Sequence, residues 1–388
     1  MYKRQKCWNI IYKLEIGICC KAILIEKHYQ VLVILVMRIR KQMKSFGLWY
    51  EKNNRSKEEP IFSLHINFWS ESVKKDNNVP DLDVGIKIRN FRSVKKVMFH
   101  CPFVVEKEQI HDLVPKLRKL ENADIIFNID GTLETKKSYS VYSFTKHEKE
   151  EKLVLFPFAH SFGNAYNLNV REGETEIIFD ILRSQGFIGQ KFKDIEEVYI
   201  RFRISSNELK NNIYFDCEPS NKSFESAFSG TRIFDFKINQ KRNLGTKTLA
   251  DIIEKHYLFP KIEDSHLLVM EPSSYDVEAF SNNQMTCREL EEGLWDDYFG
   301  ETLNYAKGRV LAYHWKFKDE CSCLIKIKYS KTNIITLTSY IVVALALGVL
   351  GSTIVAVLQM KCGDYFSYIS GGIVLVLFLT GLLLGRIK

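Results

Sequence analysis

The sequence predicts a mainly β or α+β cytosolic body followed by a C-terminal two-helix transmembrane hairpin. Two observations predict this fold class. In the middle of the chain, short runs alternate aromatic or β-branched residues with charged ones, and the C-terminal end carries two long uncharged runs. Period-two alternation is typical of half-buried strands, and uncharged runs of about 20 residues are typical of membrane-spanning helices. The 388 residues are 46% hydrophobic and 26% charged, which favours a folded protein over a disordered one.

The formal net charge of +8 is concentrated at the N-terminus. Residues 1–44 hold ten Lys or Arg side chains against Glu15 and Glu26, so the rest of the chain carries equal numbers of basic and acidic groups. The body therefore gives no direct nucleic-acid signal, because such proteins carry a basic patch or stripe.

The basic N-terminal extension, residues 1–42, has three open interpretations. Its apolar run Val31–Met37 is too short to span a bilayer. In the first interpretation the extension is a basic amphipathic arm that lies on anionic lipid. In the second it is an ordinary extension of the folded domain. In the third it is not native, and translation starts at Met43.

The cytosolic body is predicted over residues 43–329, with a possible division near 206–230, where the chain is rich in Ser, Asn and Glu. Antiparallel strands are predicted where alternation is clearest, over Ile61–Phe68, Val84–Arg89, Val198–Ile204, Ile233–Ile238, Val310–Lys318 and Leu324–Tyr329. Helices are predicted over Glu108–Leu120, Thr246–His256 and Thr286–Tyr298. The polar side chains of the strands are expected to face outward.

The hairpin is predicted over residues 334–384, with spans at 334–358 and 365–384 and a tight loop at 359–364. At about 1.5 Å rise per residue, each run is long enough for a bilayer core of about 30 Å. The short flanks are richer in Lys and Arg than the loop, through Lys326, Lys328, Lys331, Arg386 and Lys388. The positive-inside rule then predicts a multi-pass protein of the cell inner membrane with both termini cytoplasmic.

Small residues at helical spacing give the predicted helix-association positions. Ala344, Gly348 and Ser352 share one face of the first run, and Gly381 and Gly385 form a GxxxG pattern at the end of the second. Such faces let helix backbones approach closely. Packing within the hairpin and self-association into a larger assembly both remain open.

No catalytic, cofactor-binding or metal-ligating residue is predicted, and the chain is expected not to be an enzyme. Ile125–Leu133 resembles the first motif of haloacid-dehalogenase-type phosphatases, but Asn128 stands where the nucleophilic carboxylate is needed. Asp130-Gly131 is interpreted as a turn between two strands. The pair Cys321 and Cys323 lacks a second matched pair for zinc, and the histidines show no ligand spacing.

The plan of a Lys-, Ile- and Asn-rich cytosolic body followed by a two-helix hairpin resembles membrane effectors of bacterial anti-phage systems. The two-helix effectors that accompany retron reverse transcriptases are the most similar in arrangement. The resemblance implies an abortive-infection activity, in which a trigger acts on the body and the released hairpin perturbs the inner membrane.

Three functional hypotheses follow. The first is this antiviral effector, with the lipid bilayer, other copies of the chain and a regulatory protein or ribonucleoprotein as partners. The second is a membrane-tethered binding module or scaffold whose hairpin is a passive anchor. The third is an enzyme whose site is assembled from scattered residues.

Overall fold

The computed structural model describes residues 44–75, 78–135, 139–146, 148–158, 166–181, 195–217, 229–280, 285–300, 302–305, 308–318, 321–331 and 334–362. The extension over residues 1–42, the second apolar run over 365–384 and the predicted association residues Gly381 and Gly385 lie outside this part of the chain. The chain divides into two compact units, Met1–Cys217 with Thr231–Tyr329, and Glu218–Gly230 with Ser330–Lys388.

The first unit is built from β-strands. The strands are β1 Gly47–Lys52, β2 Ile61–Trp69, β3 Asp81–Arg89, β4 Val94–Cys101, β5 Ile110–Asp112, β6 Gly131–Thr135, β7 Ser140–Lys146, β8 Lys149–Leu155, β9 Tyr166–Arg171, β10 Glu174–Asp180, β11 Glu197–Ser205, β12 Tyr214–Cys217, β13 Ser229–Lys237, β14 Lys261–Pro272, β15 Asp276–Ala279, β16 Met285–Glu289, β17 Val310–Phe317 and β18 Ser322–Ser330. All six strands predicted from alternation are confirmed.

The helices are short apart from the last. They are α1 Leu120–Phe127, α2 Glu208–Asn212, α3 Thr246–Glu254, α4 Asp296–Phe299 and α5 Ile334–Cys362. The helix predicted over Thr246–His256 is confirmed as α3. The helix predicted over Glu108–Leu120 is wrong, since that stretch holds β5 between two 3-10 turns. The one predicted over Thr286–Tyr298 is wrong for its first half, which is β16.

Three sheets form the body. A ten-stranded sheet has the order β16-β17-β14-β2-β3-β11-β8-β7-β6, with β5 also paired to β11. The four-stranded sheets have the orders β1-β4-β10-β9 and β12-β13-β18-β15. Most pairs are antiparallel, but β14 runs parallel to β2, and β11 runs parallel to β8.

Both faces of the large sheet are covered. Along β2, Phe62, Leu64, Ile66 and Phe68 belong to the main core together with residues of both smaller sheets. The alternate positions, His65 and Asn67 among them, point to the opposite face because successive strand residues alternate sides. On that face a second core surrounds Trp69, Trp295 and Tyr298. The large sheet therefore has no fully solvated face along β2, and its polar side chains lie beneath other residues.

The predicted C-terminal transmembrane hairpin is contradicted. Across the ranges described above, no helix combines the length and apolar character that crossing a membrane requires. The sequence interpretation rested on charge-free runs and on a tight loop at 359–364, but α5 continues through residues 359–362 to Cys362. The predictions of two spans, of a bilayer partner and of a multi-pass inner-membrane location are withdrawn with the hairpin.

Candidate functional site

A cavity of about 480 Å³ lies on the face of the ten-stranded sheet that carries the second core, and we call it the histidine cavity. Its floor is polar and comes from strands β2, β11, β14 and β17, through His65, Asn67, Arg201, His266 and His314. Its size is within the range of small-molecule sites, which are concave and carry a few convergent polar groups on a mainly apolar lining.

The sheet topology brings the three histidines together from distant parts of the sequence. His266 on β14 is the register partner of His65 on β2, in the parallel pair of the sheet. His314 on β17 stands opposite Leu268 on one side and Thr286 of β16 on the other. The rings of His266 and His314 stack with centroids 5.2 Å apart, and the rings of His65 and His266 meet edge to face at 5.5 Å.

A continuous row of polar atoms crosses three neighbouring strands. Oδ2 of Asp264 lies 3.6 Å from Nε2 of His266, and Nδ1 of His266 lies 3.0 Å from Nε2 of His314. Nδ1 of His314 lies 3.4 Å from Oγ1 of Thr286. We call Asp264, His266, His314 and Thr286 the histidine row.

The contacts along the histidine row limit which nitrogen of each ring can donate. The Asp264 carboxylate carries acceptors only, and with the His266 proton on Nε2, facing that carboxylate at 3.6 Å, Nδ1 of His266 is an acceptor. His314 then donates from Nε2 to His266, and its own Nδ1 accepts from the hydroxyl of Thr286. In this assignment every member has a matched partner, and all donors of the row point toward Asp264.

Arg201 forms the buried base of the cavity. It is fully buried, and its Nε and Nη1 donate to the hydroxyls of Tyr298 and Tyr199 at 2.6 and 2.8 Å. Its Nη2 lies 2.9 Å from the Asn67 oxygen in the amide orientation that satisfies both groups. Each nitrogen of Arg201 thus has a partner within the protein, so the guanidinium supplies positive potential and not a free donor.

Behind Arg201, Asp83 balances two buried guanidinium groups. It accepts from Arg203 at 2.6 and 3.0 Å and from the hydroxyl of Tyr298 at 2.8 Å. Burial raises the pKa of Asp83, but the charge and hydrogen bonds of Arg203 outweigh this effect, so the pKa lies below its usual value. Arg201 and Arg203 were expected to face outward, and the structure corrects this, since their side chains lie beneath the second core.

Burial keeps two of the cavity histidines uncharged at neutral pH. Desolvation lowers the pKa of His65 to about 3, with smaller contributions from His266, Arg201 and Lys87. Desolvation also lowers the pKa of His314 to about 4, helped by His266, Arg288 and Lys316. Both imidazoles are therefore neutral in the empty cavity. The hydroxyl of Tyr199 lies 3.2 Å from Nδ1 of His65, and a neutral imidazole can accept a hydrogen bond from it at this nitrogen.

The cavity wall comes from α1 and the turn that follows it. Residues 125–129 line the cavity together with Leu268 and Trp295. The helix ends at Asn128, which has φ of +52° in the left-handed region, and β6 begins at Gly131. The predicted turn between two strands is thus wrong: Asn128 ends a helix, and the segment resembling a phosphatase motif supplies an apolar wall.

Arg288 stands at the mouth of the cavity on the edge strand β16. It is exposed and lines both this cavity and a shallower pocket beside Asp130 and Glu291. Within the described part of the chain, the Arg288 side chain makes no hydrogen bond or ion pair, and no Asp or Glu side chain lines this cavity, although Asp124, Asp130 and Glu291 line the adjoining pocket. The cavity mouth therefore carries a cation that is not ion-paired within the described residues.

A second cavity, of about 490 Å³, lies beside Trp49, His100 and Ile252. Its charged groups neutralise one another: Lys247 pairs with Glu172, and Arg171 Nη1 lies 3.1 Å from Asp251 Oδ2. We therefore regard the histidine cavity as the better candidate for ligand binding.

The predicted association residues that the structure describes lie on α5. Ala344, Gly348 and Ser352 are exposed, and a Cβ added at Gly348 would meet no atom within 4 Å. The hydroxyl of Ser352 donates to the carbonyl of Gly348 at 3.0 Å. No described contact tests the association, which stays a prediction.

The other chemistry-bearing candidates do not form sites. Cys321 and Cys323 are buried in the main core, where burial raises the pKa of both thiols. Among the residues that the structure describes, no group of three or more His, Cys, Asp or Glu side chains is arranged to hold a metal ion.

Comparisons with known proteins add little. Neither the family models nor the curated proteins gave a match, so no catalytic family is found. Among solved structures, the Fcho1 Mu homology domain of Danio rerio with bound Eps15 peptide is 7% identical, over 74% of this chain and 81% of that chain, with a TM-score of 0.13. A similarity at that TM-score supports no conclusion about fold or function.

Proposed function

We propose that the β-rich body is a binding module that takes a small organic anion in the histidine cavity. The observation that carries the proposal is the charge of the lining. Arg288 at the mouth and Arg201 beneath the floor give positive potential, and no carboxylate is among the described lining residues. Positive potential focused in a cleft attracts anions.

The cavity also supplies polar groups and an apolar wall. At the mouth, the side chains of Arg288, Asn128 and Thr286 carry hydrogen-bond donors, while Phe127, Ile129, Leu268 and Trp295 give apolar surface. A ligand that combines one anionic group with an apolar body fits both features. Guanidinium recognition of oxyanions is strong because the donors form a planar fork.

Benzenesulfonate is a suitable probe, because it has a permanent negative charge and an aromatic body. Titration of the full-length protein should give saturable binding, and the uncharged benzenesulfonamide should bind at least about tenfold more weakly, since it lacks the charge. Equal affinity for the two compounds would contradict an anion site.

We also propose self-association through α5, with a second copy of the chain as the occupant of its small-residue face. The large apolar side chains along α5 are exposed, with Leu345 at 66% and Ile354 at 59%, and Ala344, Gly348 and Ser352 leave a shallow face between them. Identical faces of this kind allow two helices to approach closely. Sedimentation velocity of the full-length protein would show the larger species, and Gly348→Leu would remove it.

A role as an effector in bacterial antiviral defence stays a prediction from the sequence resemblance. In that role the anion would act as the trigger and self-association as the response. Membrane perturbation is no longer part of it. Protection of a bacterial culture against phage by the wild-type gene, lost on Arg288→Gln, would support this role.

A further inference from the structure

We propose that the second cavity, which lies between α3 and the sheet β1-β4-β10-β9, binds a small organic amine as its ammonium ion. We call it the α3 cavity. It shares no lining residue with the histidine cavity and lies on a different sheet, so this site is independent of the anion site. At about 490 Å³ it is within the size range of small-molecule sites, about 300–1,000 Å³.

The floor of the α3 cavity is a row of register partners across the small sheet. Glu176 of β10 stands directly opposite His100 of β4 on one side and Asn169 of β9 on the other. Gly47 of β1 is the partner of His100, and the Trp49 indole lies against Gly47, where a Cβ would overlap the ring. Residues directly opposite one another point to the same face, with Cβ atoms about 5 Å apart. The Glu176 carboxylate and the His100 imidazole therefore reach the cavity together.

Glu176 is a half-buried carboxylate without a counter-charge. Its Oε1 accepts a hydrogen bond from the Trp49 indole at 3.0 Å, and Nδ2 of Asn169 lies 3.5 Å from its Oε2. Within the described residues Glu176 makes no ion pair, whereas the other carboxylates of the lining do. They pair as Glu172 with Lys247, Asp251 with Arg171 and Lys255, and Glu174 with Lys44. Because the partners of Glu176 are neutral donors, its negative charge remains uncompensated.

His100 is a second polar group with an unused acceptor. The residue is only 4% exposed, and in the described part of the chain its ring makes no hydrogen bond. Its Nε2 lies 3.5 Å from Oε2 of Glu174, beyond the usual length of an N–H···O bond. Desolvation lowers the pKa of His100 to about 4, so the imidazole is neutral and one of its nitrogens can accept. A buried imidazole of this kind in a cavity wall indicates a donor in the ligand.

An ammonium group matches both features. It carries three N–H donors and one positive charge, so it can donate to Glu176 and to the accepting nitrogen of His100 at once. The charge-assisted bond to Glu176 is the stronger of the two contacts. Ile252 and Tyr257, which line the cavity beside Trp49, give apolar surface for the body of the ligand.

Benzylamine is a suitable probe, because it is charged at neutral pH and has an aromatic body, and benzyl alcohol is its uncharged analogue. Calorimetric titration of the full-length protein should give saturable binding of benzylamine, with benzyl alcohol at least about tenfold weaker. Glu176→Gln keeps an oxygen for the Trp49 indole and removes the charge, so it should weaken benzylamine binding about tenfold or more. Glu254→Gln, which removes an exposed carboxylate of α3 outside the cavity lining, is the matched control and should keep the wild-type affinity.

The position of the ligand is measured in the wild-type protein, which removes any dependence on the folding of the variants. With ¹⁵N-labelled histidine, benzylamine should shift the His100 ring signals and leave those of His266 and His314 unchanged. Equal affinity for benzylamine and benzyl alcohol, wild-type affinity in Glu176→Gln, or an equal loss in Glu254→Gln would overturn the proposal. Unchanged His100 signals at saturation, or no binding of benzylamine, would also overturn it and leave the anion site standing.

Discussion

Nδ1 of His266 lies 3.0 Å from Nε2 of His314, with the two rings inclined by only 10°. The two residues are 48 positions apart in the sequence and belong to the antiparallel strands β14 and β17. Their hydrogen bond exists because these strands are neighbours and both side chains point to the same face of the sheet. The cavity floor is therefore a product of strand order.

Arg288 should contribute directly to anion affinity. Replacing it by Gln removes the cation at the mouth, and we expect benzenesulfonate to bind about tenfold to a hundredfold more weakly, the loss typical of one charge-assisted hydrogen bond. Arg242→Gln is the control, because it removes the same charge from an exposed position outside the cavity lining. Equal loss in both variants would show a general charge effect instead of a site.

Gly85 should be required for the floor to pack. A Cβ at this position would overlap the Tyr199 hydroxyl, which reaches across Gly85 to His65. We expect Gly85→Ala to lower the free energy of unfolding by about 1–3 kcal/mol, as overpacked cores do. Urea denaturation measures this loss. Adding Tyr199→Phe relieves part of the overlap, so the double variant should lose less than the sum of the single variants.

Asp83 should be critical for stability. Asp83→Asn removes the carboxylate that two buried guanidinium groups share and leaves Arg203 only the more distant Asp81 at 3.8 Å. Breaking a buried ion pair in this way costs about 3–5 kcal/mol. Asp297→Asn, at a half-exposed ion pair with Lys119, is the control and should change the unfolding free energy little. Similar urea midpoints for Asp83→Asn and wild type would contradict the importance of this buried pair.

The lowered pKa of Asp83 also predicts the direction in which the stability of the fold changes with acid. The contribution of Asp83 is present above its unfolded pKa, near the usual 3.8, and is lost as pH falls through the lower folded pKa. Wild-type stability should therefore fall below about pH 4, and Asp83→Asn should remove part of this dependence. An equally steep acid response in the variant would contradict the assignment.

Glu271 gives the opposite pH dependence. It is fully buried, with Ser70 donating to it at 2.8 Å, and desolvation raises its pKa to about 8. The folded state favours the neutral acid, so stability is present below the unfolded pKa and is lost as pH rises toward 8. We expect the free energy of unfolding to fall by up to about 1.4 kcal/mol per pH unit in this interval. Glu271→Gln, which keeps the shape and cannot ionise, should be less sensitive to pH in urea melts at pH 5.5 and 7.5.

The sequence predicted the strands better than the site. Alternation in runs such as Ile61–Phe68 identified strands correctly, because the apolar half of each run faces the main core. The same pattern did not predict where the polar side chains of these strands lie. His65 and Arg201 occupy positions that look solvent-exposed, yet a second layer covers that face of the sheet. A local pattern does not report what lies on the far side of a sheet.

The histidines were missed because no ligand or catalytic spacing connects them. His65, His266 and His314 meet only through the order β17-β14-β2, which includes a parallel pair between strands far apart in sequence. The hairpin failed for a different reason. Two uncharged runs were interpreted as spans and the short segment 359–364 between them as a turn, but the chain is helical as far as Cys362.

The most direct test of the central claim is to follow the histidine ring nitrogens by NMR while benzenesulfonate is added to the full-length protein with ¹⁵N-labelled histidine. An anion in the histidine cavity predicts shifts of the His266 and His314 resonances and unchanged signals from His100 and His256. Saturable binding that leaves the His266 and His314 signals unchanged, or that shifts all histidines alike, would contradict the account.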